Sequence, residues 1–295
     1  MHVFITGASG WIGSVLTRDL VAHGHDVVGL ARSASSAERI RAAGAEAVRG
    51  EMADHALIVE QATRADATAH LAFTLDFDAF DEAIDNEVAL FDTLGDALAG
   101  SGKALFAASG TPTTPRGTAT EGDPLDPDGP AGARARTAAA VLGLADRGIR
   151  AGLVRMPRTV HGVGDRNGLV AALVQLDRQL GAAAYVGDGS NRWPAVHVGD
   201  AARLFRRALE SAPAGSVLHA VAEEGVPMRA VAESISRQTG MPAQPVDATT
   251  LGVFGALLGG DQPASSARTR ALLGWEPTGP TLLEDLDAGH YTQAA

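Results

Sequence analysis

The stretch Thr6-Gly7-Ala8-Ser9-Gly10-Trp11-Ile12-Gly13 carries the densest chemical signal in the chain. Its glycines are spaced GxxGxxG, directly after an apolar run and at the start of an amphipathic one. In that context Gly7 permits a tight turn, Gly10 lets the backbone approach a pyrophosphate, and Gly13 allows a helix to pack closely on a strand. The N–H groups opening such a helix lack intrahelical acceptors and face the diphosphate. The bland alternative is a tight strand–helix turn with no ligand. Two further places could act on a substrate. Ser109 and Thr111 follow another apolar run, and their hydroxyls suit a carbonyl or imine; the alternative is a polar strand-to-loop turn. His161 offers an imidazole that can supply a proton near neutral pH, or is simply structural.

Composition removes other chemistries. Without cysteine there is no disulfide, thiolate metal site or cysteine nucleophile. A net charge of -11 lacks the basic footprint of a nucleic-acid binder. No run of about 18 apolar residues suggests a membrane span, and Met1-His2-Val3-Phe4-Ile5 has no signal-peptide character. The expectation is a cytoplasmic protein with a small-molecule substrate, no nucleic acid and no membrane. No H-E-x-x-H pair or G-x-x-x-x-G-K-[ST] loop is present, and no metal is expected. Only Lys103 among the basic residues is a lysine, and Tyr185 and Tyr291 are the two tyrosines.

The elements that must position these groups alternate. Apolar runs at 2–6, 26–31, 45–49, 67–73 and 104–108 read as strands. Helical patterns lie between them, at 11–23, 35–43 and 80–98, for example. Such alternation predicts βαβ units and a Rossmann-type, doubly wound parallel sheet of the α/β class. A Thr/Pro/Asp/Gly-rich loop at 110–132 interrupts the rhythm before a helix at 133–147 and a strand at 150–155. Residues 1–155 read as a dinucleotide-binding core. Residues 156–295 read as a smaller, mainly substrate-binding region, some of which returns to the sheet.

The glycine spacing, with Thr before it and aromatic-Ile-Gly behind, resembles the extended short-chain dehydrogenase/reductase family, of the NAD-dependent epimerase/dehydratase kind. So do His70-Leu71-Ala72, Ser109 after the fifth strand, Arg155-Met156-Pro157-Arg158-Thr159-Val160-His161-Gly162 and Val196-His197-Val198-Gly199-Asp200-Ala201-Ala202. The resemblance implies an oxidoreductase. It implies cofactor contacts from Gly7, Ser9, Gly10, Trp11, Ile12, Gly13, Met52, Leu71, Ala72, Phe73, Ser109 and Pro157. Thr74, Asp76, Tyr185 and Trp193 would line the substrate side; Asp76 binds a cation there or caps the following helix. Ser109 falls at the family's catalytic Ser/Thr position. NAD-preferring relatives end the second strand with an acid. Here Ala31 is followed by Arg32 and Ser33, a guanidinium and a hydroxyl suited to a 2′-phosphate, so NADP(H) is expected. Pairing of the helices at 77–98 and 134–147, as in extended relatives, implies a homodimer.

The family's Y-x-x-x-K pair is missing. Arg134 falls at the Tyr position and Ala138 at the Lys position, and Ala99 stands four residues before the sole lysine. This marks an atypical member. It is an NADP-dependent ketone or imine reductase with another proton donor or none, a non-catalytic NADP-binding regulator, or a non-redox isomerase or lyase. Arg134 would stabilise an anion or be a surface charge, and arginine is a poor acid.

Overall fold

Val3 and Ile5 of the first strand enter one hydrophobic core and Phe4 enters another. A parallel sheet covered on both faces demands such two-sided burial. The computed structural model describes residues 1–73, 80–114, 117–129, 132–251 and 253–292. Thr74, Asp76 and Phe77 lie outside the described residues.

The first half of the chain runs β1 (His2–Thr6), α1 (Trp11–Ala22), β2 (Asp26–Ala31), α2 (Ala34–Ala42), β3 (Glu46–Arg49), α3 (His55–Arg64), β4 (Ala67–His70), α4 (Phe80–Leu98), β5 (Ala104–Gly110), α5 (Ala133–Gly143) and β6 (Arg150–Met156). A 3-10 turn, Leu144–Arg147, ends the helix that the sequence predicts to continue to 147. The second half runs β7 (Thr159–His161), α6 (Leu169–Leu180), β8 (Ala183–Val186), β9 (Arg192–His197), α7 (Val198–Ser211), β10 (Ser216–His219), β11 (Glu223–Pro227), α8 (Met228–Thr239), β12 (Ala243–Val246), α9 (Val253–Gly259), α10 (Ala267–Leu273) and α11 (Leu282–Asp287).

Seven strands form one parallel sheet in the order β10-β6-β5-β4-β1-β2-β3. The chain leaves β1 in one direction and resumes at β4 in the other. That reversal opens a crevice at the carboxyl ends of the strands, where α/β sheets bind ligands. Leu16 and Leu20 of α1, Ile40 of α2 and Phe205 of α7 cover one face. Ile58 of α3, Leu90, Phe91 and Leu94 of α4 and Val141 of α5 cover the other. Leu98 of α4 joins the same core.

Beside the sheet, β11-β9-β7 and β12-β8 form two small sheets. They share a third core with α6, α8 and α11. Asp200 fastens the C-terminal segment to α7, accepting the N–H groups of Thr278 at 3.1 Å and Gly279 at 2.9 Å. Trp275 donates its indole N–H to the Asp200 carbonyl at 3.1 Å. Asp200 of the Val-His-Val-Gly-Asp stretch thus works as a staple.

Asp177 on α6 is a costlier device. It is fully buried, accepts the Ala184 N–H at 2.9 Å through Oδ1, and leaves Oδ2 without a protein partner among the described residues. Burial pushes its carboxyl up to about 7, against the opposing pull of the Ala184 hydrogen bond. The folded state then holds the proton more tightly than the unfolded chain. The resulting stabilisation is complete below about pH 4 and disappears as pH rises through about 7. Asp177→Asn keeps the acceptor and removes the titration. It should raise the melting temperature at pH 8 and leave it nearly unchanged at pH 4, the effect being at most roughly 4 kcal/mol. Thermal unfolding across that range checks it; equal shifts at both pH values would refute it.

Candidate active site

β1 ends at Thr6, and the chain turns through Gly7 at φ 74, a left-handed conformation that favours glycine. A Cβ on Gly7 would also lie 2.7 Å from the Ala72 nitrogen. One on Gly13 would collide with the Gly7 carbonyl, so α1 can start this close to β1 only with glycine there. Gly10 is exposed at the N-cap, and no side chain caps α1. The uncapped amides of a 12-residue helix therefore face open space, as a pyrophosphate site requires.

That space is a cavity of about 530 Å³. Of the expected cofactor contacts, Gly7, Ser9, Gly10, Arg32, Met52, Leu71, Ala72 and Phe73 line it. Other expected contacts are placed differently. Gly13 packs beneath Gly7 and does not line the cavity wall. Trp11 turns its indole away to donate to the Val160 carbonyl at 3.0 Å, binding the glycine loop to β7. Ile12, Pro157 and Ser109 do not border the cavity either. The Ser33 hydroxyl caps α2, accepting the Ser36 N–H at 3.1 Å, with Ser35 Oγ 3.0 Å from it. Glu51, His70, Asn86 and Glu87 line the cavity although the sequence reading did not single them out for the site.

His70 and Glu87 belong to a directed chain of hydrogen bonds. The Ala72 N–H donates to Thr6 Oγ1 at 3.3 Å. Thr6 Oγ1 lies 3.0 Å from His70 Nδ1, and His70 Nε2 lies 3.0 Å from Glu87 Oε1. Arg134 and Thr137 donate to Glu87 Oε2 at 2.5 and 3.0 Å. All the donors are used if Thr6 gives its proton to Nδ1 and His70 donates through Nε2, and the tautomer is assigned on that ground. Burial alone would raise the Glu87 carboxyl; contact with His70, then Arg134 and Thr137, outweighs it and holds the group below its usual range.

Arg134, at the start of α5, also donates to the Ala108 carbonyl at 3.1 Å, and its guanidinium lies 4.5 Å from the Phe73 ring centre. It is thus half of a buried pair beside the peptide that precedes Ser109. Ser109 and Thr111 are 9% and 5% exposed, and neither hydroxyl has a partner among the described residues. Thr111 donates its N–H to the Met156 carbonyl at 2.9 Å, which places it beside the end of β6.

The remaining expected residues do not line this cavity. His161 is 0% exposed, and its Nδ1 is 2.6 Å from Asp285 Oδ2. Its Nε2 is buried and has no hydrogen-bond partner among the described residues, and lies 3.9 Å from Glu223 Oε2. Tyr185 is 8% exposed within the third core, with Arg229 5.1 Å from its ring centre, and packs the small sheets. Tyr291 is tied to Gly162 and Asp165, so neither tyrosine stands at α5. Trp193 is 3% exposed, with an unpartnered Nε1.

Deleting the Glu87 carboxylate strands Arg134 beside the crevice. Glu87→Ala should cost about 3–5 kcal/mol, read by urea unfolding, with Glu87→Gln losing less. A loss below about 1 kcal/mol would mark the chain of bonds as solvent-exchanged surface contacts.

Comparison with known proteins agrees with this architecture. The chain is 37% identical over 295 residues to the uncharacterized Schizosaccharomyces pombe protein C2A9.02, covering 99% of this chain and 100% of that one. It is 27% identical over 260 residues to a 2-alkyl-3-oxoalkanoate reductase of Stenotrophomonas maltophilia, covering 82% of this chain and 77% of the relative. A solved structure of DesIV, a dTDP-glucose 4,6-dehydratase from Streptomyces venezuelae with NAD and TYD bound, superposes with a TM-score of 0.79 at 20% identity, covering 98% of this chain and 96% of that one. The profile of the NAD dependent epimerase/dehydratase family matches residues 3–221. With the glycine turn, the uncapped α1 and the strand order, that match settles the lineage: the chain belongs to the NAD dependent epimerase/dehydratase family.

Proposed function

We propose that the protein is an NADP(H)-dependent oxidoreductase that reduces the C=O, or the related C=N, bond of a small molecule without the usual Tyr/Lys pair. The observation that carries the reading is Ser109. A hydroxyl this deeply buried and without a partner is costly, and this one stands at the carboxyl end of β5. A ligand carbonyl or imine would satisfy it. The relative named as an oxoalkanoate reductase and the NAD in the DesIV structure support the same reading.

The residues present fit a nicotinamide dinucleotide. The uncapped α1 amides and Gly10 would hold its diphosphate, and the 71–73 wall would border its ribose and ring. Bound there, the cofactor supplies hydride. At the far end Arg32 lines the cavity, the Ser33 and Ser35 hydroxyls gather at the start of α2, and Ala31 offers no carboxylate. Arg49 donates to the Arg32 carbonyl at 3.3 Å, adding a second cation to this end. This arrangement supports a 2′-phosphate and hence NADP(H).

Ser109 orients the substrate carbonyl. Arg134, fixed by Glu87 and Ala108, contributes N–H dipoles where negative charge develops on oxygen. It does not supply a proton. The product oxygen takes its proton from water, and an iminium substrate needs no proton at all. The absence of the Tyr/Lys pair also favours a second reading, a non-catalytic NADP(H)-binding regulator.

NADPH should bind at least about tenfold more tightly than NADH, with Arg32→Ala erasing the preference. Fluorescence titration checks this, and equal affinities would defeat the NADP assignment. Substrate-dependent loss of 340 nm absorbance should fall about 10²–10³-fold in Ser109→Ala. NADPH binding without turnover on carbonyl and imine panels would establish the regulator instead.

A further inference from the structure

Among the described residues, most buried or half-buried arginines have their charge answered. Arg134 meets Glu87, Arg206 meets Asp19, and Arg155 lies in the field of Asp123 and Glu121. Arg150 has no acid, but three carbonyls at the end of α7, those of Ala208, Leu209 and Ala212, accept its N–H groups. Arg158 is different. It sits between β6 and β7, at the carboxyl end of the sheet, and makes one hydrogen bond, to the Leu257 carbonyl at 2.7 Å. Its other neighbour is the face of Trp193, 5.0 Å away. Among the described residues no carboxylate lies within ion-pair distance. Burial pulls its guanidinium down to about 10, and no opposing charge restores it. A carbonyl and an indole face both attract a cation, but neither neutralises one. Of the five N–H donors of the guanidinium, one is used.

The surroundings are built for a ligand. The Trp193 indole N–H and the Thr111 hydroxyl are buried and unpartnered. Thr111 is joined to Met156, two residues before Arg158, and its carbonyl accepts the Gln262 amide at 2.8 Å. Asn191 holds the same 257–262 segment, donating to the Leu258 carbonyl at 2.7 Å. Arg192, the next cation, is already committed to Asp261 through two hydrogen bonds. This segment is therefore tied to Thr111 just after β5, to Asn191 just before β9 and to Arg158.

We propose that Arg158, flanked by Trp193 and Thr111, is the recognition point for a carboxylate on the substrate, so that the molecule reduced is an oxo acid. The proposal rests on the reductase reading for the word "reduced" and on the Arg158 environment for the carboxylate. A planar guanidinium matches a carboxylate in shape. One uncompensated positive charge matches one negative charge. A phosphate dianion would leave excess negative charge buried in the same place.

The test is calorimetric titration of the full chain loaded with NADP⁺. The probes are pyruvate, acetoacetate and levulinate, their methyl esters, and dihydroxyacetone phosphate. At least one oxo acid should bind about 10- to 100-fold more tightly than its ester, the range of a charge-assisted hydrogen bond. Arg158→Met should bring the acid down to the level of the ester and leave NADPH affinity unchanged. Arg158→Lys should keep part of the preference. Trp193→Phe, which loses the indole N–H and retains the bulk, should weaken acid binding severalfold and covers the case in which Arg158→Met does not fold. Acids binding no better than esters, an acid preference surviving in Arg158→Met, or dihydroxyacetone phosphate outbinding every acid would overturn the proposal. The two readings separate cleanly. Acid binding lost in Arg158→Met, with no NADPH oxidation by any probe, leaves this site standing and removes the reductase. Turnover of neutral ketones by a protein that binds acids no better than their esters does the reverse.

Discussion

Both walls of the crevice lean on the burial of one carboxylate. Taking Glu87 out of water costs several kcal/mol, and the attraction of its partners recovers that only if its oxygens are fully engaged. His70, Arg134 and Thr137 engage them, from β4 and α5. Through His70 and Thr6 the same network reaches the end of β1 and the Ala72 amide. The strand that launches the glycine turn, the backbone at 71–73 and the helix that carries Arg134 are thus held in one hydrogen-bonded frame. The close approach of Gly7 to Leu71 and Ala72 is tolerable because that frame leaves the two segments no freedom to drift.

The fold was largely legible because it depends on periodicity. A strand buried on both faces must be apolar throughout, and a helix lying on it must carry a stripe, so residues 1–110 announce themselves. The glycines were legible for a harder reason: at Gly7 and Gly13 any side chain collides with backbone. The small sheets were harder to read. β7, β8, β11 and β12 are three to five residues long, too short for a period to show.

The site divides along the same line. Backbone-defined contacts could be read from spacing, whereas the Glu87 network joins residues 6, 70, 87, 134 and 137 and exists only in three dimensions. His161 is engaged at the same long range: Asp285, 124 residues away, lies 2.6 Å from its Nδ1, and nothing in the local motif marks that contact. Ser33 was marked for a ligand and serves partly as a helix cap. Arg158 stood in the middle of a quoted motif, and nothing local distinguished it from a surface charge. Its lack of a counter-ion is a property of the whole tertiary neighbourhood.

Tyr291 gives the two halves of the crevice different histories. Its hydroxyl accepts the Gly162 N–H and donates to Asp165, both at 3.1 Å, and Asp165 in turn accepts the Gly168 N–H where α6 begins. The turn that follows β7 is therefore finished by a side chain synthesised more than 120 residues later. Chains fold from the N-terminus as they leave the ribosome. The glycine turn, α1 and the 71–73 wall are all available long before residue 291 emerges. The nucleotide side of the crevice can thus be assembled while the turn after β7 still waits for residue 291.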